Sequence, residues 1–429
     1  MTPTSSPRRW RGILVGLLIG LILGVVLVAV LAPTVADMAD RRLVLEPAGG
    51  HPSPYVMRFA PPSETAVADP AALAEAAAAE AMPKNIVLFI GDGMGFSHLA
   101  AARAALEGPD GRLFVESFPV SSWITTHSLE RLYTDSAAGA TAIATGRKTR
   151  PRMLSVTPEG ERLETVAERA RDAGKAIGLV TDSYLWDATP AAFAAHRDSR
   201  RDLDGIAADF AASGVDLFVG GEHPGFDGDD PGADAMAAFG DAGYTVARDW
   251  PTLRDASAGP LLGLLPHQEV ARETPPSLAE LTRLALRRLG GGSEGFFLMV
   301  ETEETDTGAH VGHLEQVVEG IRALDEAVRV AVEFADTPEN GPTLVLVTSD
   351  HETGGLALMA GREGQPLKVR WATGGHTAEP VPLLARGPGS GALAEVRDNA
   401  ELGVLLMGLV GSPGSQEPED SGEETDADR

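Results

Sequence analysis

The sequence predicts an α/β fold built on a mainly parallel β-sheet. Two patterns predict it: apolar runs that are almost unbroken, as in strands buried on both faces, and helical stretches that separate these runs. The 429 residues, 43% of them hydrophobic, are enough for one large domain or two modest domains with a substantial core. Ligands of open parallel sheets bind at the carboxyl ends of strands, so polar residues near those ends are candidates for a functional site.

Five runs are predicted to be strands: residues 85–90, 176–180, 215–219, 296–300 and 343–348. Helices are predicted over residues 163–173 and 317–334. Polar residues follow most of the strands: Asp92 the first, Thr181 and Asp187 the second, Glu301 the fourth, and Asp350 with His351 the fifth. The sequence therefore predicts that these side chains share one edge of the sheet.

The N-terminus predicts an export segment. Arg8, Arg9 and Arg11 lie in a basic region, residues 1–11, ahead of an apolar run over residues 12–32 that is long enough to cross a bilayer as a helix. The length favours a retained membrane anchor with its basic end inside. The alternative is a signal peptide cleaved near Ala36, because small residues follow the run.

The remaining boundaries follow from composition. Residues 33–83 are rich in Ala, Pro and polar residues and are predicted to be a linker, with one possible short helix over residues 71–81. Residues 412–429 are predicted to be an acidic disordered tail. The catalytic domain is therefore expected between residues 84 and 411.

Charge and cysteine usage exclude several classes of protein. The net charge of −27 disfavours nucleic-acid binding, so no nucleic-acid partner is expected. An anionic substrate would need a local positive site, which bound metal ions can supply. The absence of cysteine excludes disulfides, thiolate catalysis and cysteine-type zinc sites.

Ser136 is the candidate nucleophile. It stands on a turn of small residues that opens an Ala-rich, helix-forming run, where unpaired N–H groups and the helix dipole favour an anion such as phosphate. The alternative is an ordinary N-cap ahead of an ordinary helix. The acidic and histidine residues elsewhere in the chain favour the functional interpretation.

Those residues form a pattern typical of a two-metal phosphoryl-transfer site. Asp92 lies in a glycine-rich turn, although a plain turn aspartate is the alternative. Asp306 and His310 are four residues apart, so on a helix both project from one face. Asp350 and His351 end a strand, and His376 lies in a glycine-rich loop.

Six segments together resemble the alkaline phosphatases, in the order of that family. They are Asn85 to Gly95 around Asp92, Thr134-Asp-Ser136-Ala-Ala, Asp187-Ala-Thr189-Pro-Ala-Ala, Glu301 with Asp306 and His310, Ser349-Asp-His351-Glu-Thr-Gly-Gly355, and Thr373-Gly-Gly-His376-Thr. The resemblance implies a three-layer α/β/α sandwich over residues 84–411. It also implies two Zn²⁺ and one Mg²⁺ per chain.

The resemblance implies a role for each of these residues. Asp306, His310 and His376 would hold one zinc ion, Asp92, Asp350 and His351 the other, and Asp92, Thr189 and Glu301 the magnesium ion. Ser136 would be the nucleophile, Arg200 would bind phosphate, with Arg197 and Arg201 as competitors, and Asp187 would orient magnesium-bound waters. Thr307 departs from the residues common in relatives, and His313 is expected at the surface.

The sequence thus predicts an exported, metal-dependent phosphomonoesterase that forms a phosphoserine intermediate. Its expected partners are phosphate monoesters, inorganic phosphate and, through the N-terminal helix, a membrane; a homodimer is possible. Its expected location is outside the cytoplasm, as an anchored or a secreted or periplasmic protein. A phosphodiesterase or sulfatase-like hydrolase and a non-enzymatic metal- or phosphate-binding protein are the alternatives.

Overall fold

A computed structural model of the chain describes residues 82–223, 231–267, 276–362 and 364–411. A nine-stranded sheet forms its centre, in the order β2-β13-β8-β1-β7-β3-β4-β6-β5. The strands are β1 (Asn85–Gly91), β2 (Val120–Ile124), β3 (Ala176–Tyr184), β4 (Leu217–Gly221), β5 (Thr245–Ala247), β6 (Leu261–Leu265), β7 (Phe296–Thr302), β8 (Thr343–Thr348) and β13 (Val381–Arg386). Neighbouring strands from β8 to β5 pair in parallel, whereas β13 is antiparallel to both β8 and β2.

Helices cover both faces of the sheet. They are α1 (Phe96–Leu106), α2 (Ser136–Thr145), α3 (Val166–Asp172), α4 (Ala188–Ala194), α5 (Leu203–Ala212), α6 (Pro231–Asp241), α7 (Trp250–Asp255), α8 (Leu278–Leu289), α9 (Glu304–His310), α10 (Leu314–Ala335), α11 (Ser390–Leu393) and α12 (Asn399–Leu409). Two short 3-10 helices span Val115–Ser117 and Pro338–Asn340. Two small antiparallel sheets pair β9 (Glu352–Thr353) with β12 (His376–Thr377), and β10 (Ala357–Ala360) with β11 (Lys368–Arg370).

The side chains of β1 show how the sheet separates two cores. Ile86, Leu88 and Ile90 join one buried hydrophobic cluster, which includes α2, α4 and α12, and Val87 and Phe89 join another, which includes α8 and α10. This alternation places each set on one face of the strand. The predicted three-layer α/β/α sandwich with a mainly parallel sheet is therefore confirmed.

The predicted strands and helices are present, with different ends. Strand β3 continues to Tyr184 and β7 to Thr302, so Thr181 and Glu301 lie within strands rather than after them. The predicted helix over residues 163–173 begins at Val166, because Thr165 and Glu168 form a capping box that fixes its start. The helix predicted over residues 317–334 is longer and spans Leu314–Ala335.

The close approach of α2 to its neighbours depends on glycine. A Cβ atom on Gly139 would lie 2.6 Å from the carbonyl oxygen of Asp350, and one on Gly403 of α12 would lie 2.4 Å from that of Ala142. All ten residues of α2 are buried. The two glycines therefore let this helix contact both the end of β8 and helix α12.

The predicted N-terminal segments, including the apolar run over residues 12–32 and the possible helix over residues 71–81, and the predicted acidic tail lie outside the described residues. Among the described residues, no helix has the length and hydropathy needed to cross a membrane.

Candidate active site

The strand order brings the predicted site residues to one edge of the sheet. Strands β8, β1, β7 and β3 are consecutive neighbours. In their register Ile90 pairs with both Glu301 and Thr348, and Glu301 pairs with Thr181. Asp92 and Asp350, each two residues beyond Ile90 or Thr348, therefore lie beside Glu301 at the carboxyl ends of parallel strands.

Ser136 begins α2 and faces this edge. Asp135 is the N-cap, and its Oδ1 accepts a hydrogen bond of 3.1 Å from the Ala138 N–H. Because Asp135 caps the helix, the Ser136 hydroxyl is not needed as a cap. Its Oγ lies 3.3 Å from Nε2 of His351 and 3.4 Å from Nη1 of Arg200, and only 5% of the residue is exposed. The position suits a nucleophile between a metal group and a cationic side chain.

Asp306, His310 and His376 form the first group that can hold a metal ion. Helix α9 places the first two on one face, with 3.1 Å between Asp306 Oδ2 and His310 Nε2. Nδ1 of His310 lies 2.7 Å from the Gly374 carbonyl oxygen, and Nδ1 of His376 lies 2.8 Å from the Thr134 carbonyl oxygen. Since each Nδ1–H can donate to its carbonyl, both Nε2 atoms are left as acceptors only 3.2 Å apart, an arrangement that suits a shared cation.

His351 is the centre of the second group. Its Nε2 lies 3.4 Å from Oδ1 of Asp92 and 3.4 Å from Oδ2 of Asp350. Both carboxylate oxygens are buried and have no hydrogen-bond partner among the described residues. Buried unpaired carboxylate oxygens are costly, so they also fit a cation. Asp306 comes close enough to join Asp92 and His351 in this group, and it therefore lies between the two groups.

The third predicted group consists of Glu301, Thr189 and Asp92. Glu301 Oε2 is buried without a hydrogen-bond partner among the described residues. Burial raises the pKa of Glu301 to about 8, although the hydroxyls of Thr181 and Thr189 lower it. Thr189 Oγ1 and Asp92 Oδ1 are likewise buried without a hydrogen-bond partner among the described residues, and such a set suits a hard cation, which prefers oxygen ligands.

The pKa values of the carboxylates follow from burial and crowding. Burial raises the pKa of Asp92, and the charges of Asp350, Asp306 and Glu301 raise it further. Burial and the charge of Asp306 raise the pKa of Asp350 to about 7. Burial also acts to raise the pKa of Asp306, but the hydrogen bond with His310 and the charges of the histidines lower it below its usual range. Metal cations would favour the ionised carboxylates that this crowding disfavours.

Arg200 is held by acidic side chains beside Ser136. Its Nη2 lies 2.5 Å from Oδ1 of Asp187, and its Nη1 lies 3.9 Å from Oδ2 of Asp135. These charges raise the pKa of Arg200 against the opposing effect of burial. Arg197, a predicted competitor, instead forms an ion pair of 2.5 Å with Asp209.

Asp187 caps α4 through a 2.7 Å hydrogen bond from the Ala188 N–H. The same carboxylate also contacts Arg200, and its charge raises the pKa of Glu301.

The sequence left the roles of His313 and Thr307 open. His313 is exposed at the surface, and Thr307 is exposed on α9.

Sequence reasoning missed Thr353, which contacts both metal groups. Its hydroxyl donates a short hydrogen bond to Oδ1 of Asp306 and lies 3.2 Å from Nδ1 of His351. Thr353 belongs to the segment Ser349 to Gly355, so its place in that motif was the available signal. Two further residues, Arg152 and Glu303, line one cavity together with Arg200 and gave no such signal in the sequence.

Comparisons with known proteins agree with this geometry. The sequence profile described as "Alkaline phosphatase" matches residues 83–216 and 252–366. Alkaline phosphatase 3 of Bacillus subtilis is 28% identical over 74% of this chain and 87% of its own length. The streptomycin-6-phosphate phosphatase of Streptomyces griseus is 32% identical over 76% of this chain and 90% of its own length.

Solved structures give the same result for the fold. The alkaline phosphatase from the Antarctic bacterium TAB5 is similar with a TM-score of 0.68 and 29% identity, over 77% of this chain and 98% of that chain. The chain therefore belongs to the alkaline phosphatase family and is a metal-dependent phosphomonoesterase.

Proposed function

We propose that this enzyme hydrolyses phosphate monoesters through a phosphoserine on Ser136. The observation that carries the proposal is the position of Ser136 Oγ, 3.3 Å from His351 Nε2 and 3.4 Å from Arg200 Nη1 at the start of α2. In the first step a bond forms between Oγ and phosphorus while the ester P–O bond breaks. The alcohol leaves with a proton, and water then cleaves the phosphoserine to give inorganic phosphate.

Arg200 and α2 would bind the phosphoryl group during both steps. The planar guanidinium can donate to two phosphoryl oxygens at once. The N-terminus of α2 adds a positive dipole end beside the same oxygens. Asp187 contacts Arg200 and restrains its guanidinium. The Arg200 side chain is therefore positioned before substrate binds.

We propose that two Zn²⁺ and one Mg²⁺ act with these residues. Asp306, His310 and His376 would hold one zinc ion, and Asp92, Asp350 and His351 the other. Asp92, Thr189 and Glu301 would hold magnesium, whose preference for oxygen ligands fits them. When bound, the cations lower the pKa of the serine hydroxyl and stabilise charge on the departing oxygen. A solved structure of a TAB5 alkaline phosphatase variant is described as having magnesium bound in a site named M3.

Phosphate release by the purified enzyme tests the proposed activity. The enzyme is expected to hydrolyse an aryl phosphate monoester much faster than the corresponding methyl diester or aryl sulfate, and to lose activity to a chelator. A preference for the diester or for the sulfate would instead support the alternative hydrolase classes.

Replacing Arg200 with alanine is expected to weaken inhibition by inorganic phosphate and to lower kcat/KM by about tenfold to a hundredfold. The reason is that two charge-assisted hydrogen bonds to the phosphoryl group are lost while the metal ligands remain. Inhibition constants for phosphate and steady-state kinetics measure this. Arg200→Lys is the matched control, because lysine keeps the charge but not the planar, two-pronged guanidinium. Its kcat/KM and its phosphate inhibition should lie between those of the parent enzyme and those of the alanine variant. If phosphate inhibits both variants as strongly as it inhibits the parent enzyme, Arg200 does not bind phosphate.

Replacing Glu301 with glutamine is expected to lower activity and its stimulation by Mg²⁺ while two zinc ions stay bound. The change removes one charge from the predicted magnesium group and leaves both histidine groups intact. Elemental analysis and activity titrated against Mg²⁺ measure the two effects. Asp187→Asn should shift the Mg²⁺ titration less, since we assign that side chain to orienting magnesium-bound waters. Loss of zinc on changing Glu301 would show that the ligand allocation is wrong.

We propose that the catalytic domain lies outside the cytoplasm. The support is the basic region ahead of the apolar run over residues 12–32 in the sequence, which lies outside the described residues. Cell fractionation with N-terminal sequencing tests it: an anchored chain stays with the membranes, and a cleaved chain begins near Asp37 in the soluble exported fraction. A homodimer stays a prediction, which the molar mass in solution tests.

A further inference from the structure

A cavity of about 640 Å³ opens beside the nucleophile. Its lining includes three arginines, Arg152, Arg200 and Arg201, and three carboxylates, Asp135, Asp187 and Glu303. Because Arg200 lines this cavity and its Nη1 lies 3.4 Å from Ser136 Oγ, the cavity adjoins the place where Arg200 would hold the phosphoryl group. The rest of its lining is therefore available to a part of the substrate beyond the phosphoryl group.

The charges in the cavity are not evenly paired. Asp187 and Asp135 both face Arg200, at 2.5 Å and 3.9 Å. Asp135 also accepts the Arg152 backbone N–H at both oxygens, at 3.1 Å and 2.9 Å. Two of the three carboxylates are thus engaged by groups at the phosphoryl end of the cavity.

The guanidinium groups of Arg152 and Arg201 have no ion pair or hydrogen bond with any described residue. Both residues are exposed at the mouth of the cavity. Glu303 is the one carboxylate of the six side chains that could offset them, and it does not reach within ion-pair distance of either. In a chain with a net charge of −27, two such cations in one cavity, without a partner in the part of the chain that the structure describes, are unusual.

The backbone of Arg152 is also fixed in an uncommon conformation. Its φ of 73° lies in the left-handed region that favours glycine. Its N–H donates to Asp135, the residue before the nucleophile, and its carbonyl oxygen accepts a 2.8 Å hydrogen bond from the Arg200 N–H. Such strain persists where surrounding contacts hold it, often at functional sites. These contacts tie the position of Arg152 to Ser136 and Arg200.

We infer that Arg152 and Arg201 form a second anion subsite, which selects phosphate monoesters whose leaving group carries another negative group, a carboxylate or a phosphate. The inference rests on the proposed function, since it names the residues that would contact the alcohol part of the same phosphate monoester. The engaged carboxylates of Asp135 and Asp187 leave the two guanidinium groups available to that second anion. Arg200 binds the phosphoryl group that is transferred, so it is not part of this subsite.

Three matched substrates test the inference with the full-length enzyme. They are para-(carboxymethyl)phenyl phosphate, its uncharged analogue para-(carbamoylmethyl)phenyl phosphate, and para-(phosphonomethyl)phenyl phosphate. The methylene group insulates the phenol, so the first two differ mainly in one charge. We expect kcat/KM for the carboxylate to exceed that for the amide by on the order of tenfold at low salt, and this ratio to shrink as salt rises. Comparison of kcat/KM for the phosphonate and for the carboxylate shows which of the two anions the enzyme prefers.

Two variants assign the preference to residues. Arg152→Asn removes the guanidinium and keeps a residue that tolerates positive φ, and Arg201→Gln removes the other. Each is expected to reduce the ratio of anionic to neutral kcat/KM about threefold, since an exposed ion pair is worth little more than this. Arg283→Gln, on α8 and outside the cavity lining, makes the same change of charge and should leave the ratio unchanged.

The outcomes separate the inference from the proposed function. Failure of the parent enzyme to hydrolyse even the neutral amide would overturn the proposed function. Hydrolysis of all three substrates with equal kcat/KM would overturn the inference and leave the function standing. A preference for anions that persists in both variants, or that falls equally in Arg283→Gln, would also overturn it.

Discussion

Replacing Ser136 with alanine is expected to lower kcat by about a thousandfold, or about 4 kcal/mol of transition-state stabilisation, without loss of bound metal. The change removes only the oxygen that lies between His351 and Arg200. Asp135 remains as the N-cap of α2, so the helix should keep its start and its stability. Steady-state kinetics with elemental analysis of the same preparation measure both parts of the prediction.

The phosphoserine gives a second and more direct measurement. Acid quenching of the parent enzyme after incubation with labelled phosphate should leave label on Ser136, and the alanine variant should carry none. Ser121→Ala, an exposed serine on the edge strand β2, is the control and should match the parent in both assays. An alanine variant at position 136 that turns over at nearly the parent rate would show that the mechanism is not covalent.

Replacing Asp306 with asparagine is expected to have an effect at both histidine groups. Its Oδ2 lies 3.1 Å from His310 Nε2, its Oδ1 lies 3.7 Å from His376 Nε2, and it can also join Asp92 and His351. Because asparagine has the same shape without the charge, we expect bound zinc to fall below two per chain. We also expect kcat to fall by at least about a hundredfold. Elemental analysis and kinetics at saturating Zn²⁺ measure the loss.

A second variant distinguishes loss of the Asp306 carboxylate from loss of the hydrogen bond that orients it. Thr353→Val removes the hydroxyl that donates to Asp306 but keeps the carboxylate, so it should weaken zinc affinity about tenfold to a hundredfold and recover activity at high Zn²⁺. Thermal unfolding monitors whether either variant disturbs the fold itself. Two tightly bound zinc ions in Asp306→Asn would contradict the proposed role of Asp306 as a metal ligand.

The sequence predicts the centre of the sheet better than its edges. Strands β1, β7, β3 and β8 are covered on both faces, and their unbroken apolar runs report that burial. Strand β13 was not predicted, since it contains Pro382, which lacks the N–H that an interior strand usually donates. Strand β5 has only three residues, too few for a periodic pattern.

The candidate site shows a similar division. The residues of the predicted metal groups came from local motifs, and the strand order explains why they meet, while their roles as ligands stay predictions. The position of Asp306 between two groups, the contact of Asp187 with Arg200 and the conformation of Arg152 depend on three-dimensional packing. Residue spacing along the chain does not report such contacts.

The order of the strands also bears on how the active enzyme is made. Strand β1 pairs with β7 and β8, so Ile86 finds its partners Phe297 and Leu344 more than 200 residues later in the chain. Pairings so distant in sequence form slowly, since long loops must close before any contact is gained. A chain still on the ribosome that has not yet passed residue 351 lacks part of both histidine groups, and the group of Asp306, His310 and His376 stays incomplete until residue 376. Neither group can therefore be complete until most of the chain has been made, and a metal ion held there would stabilise only a chain that has reached that point.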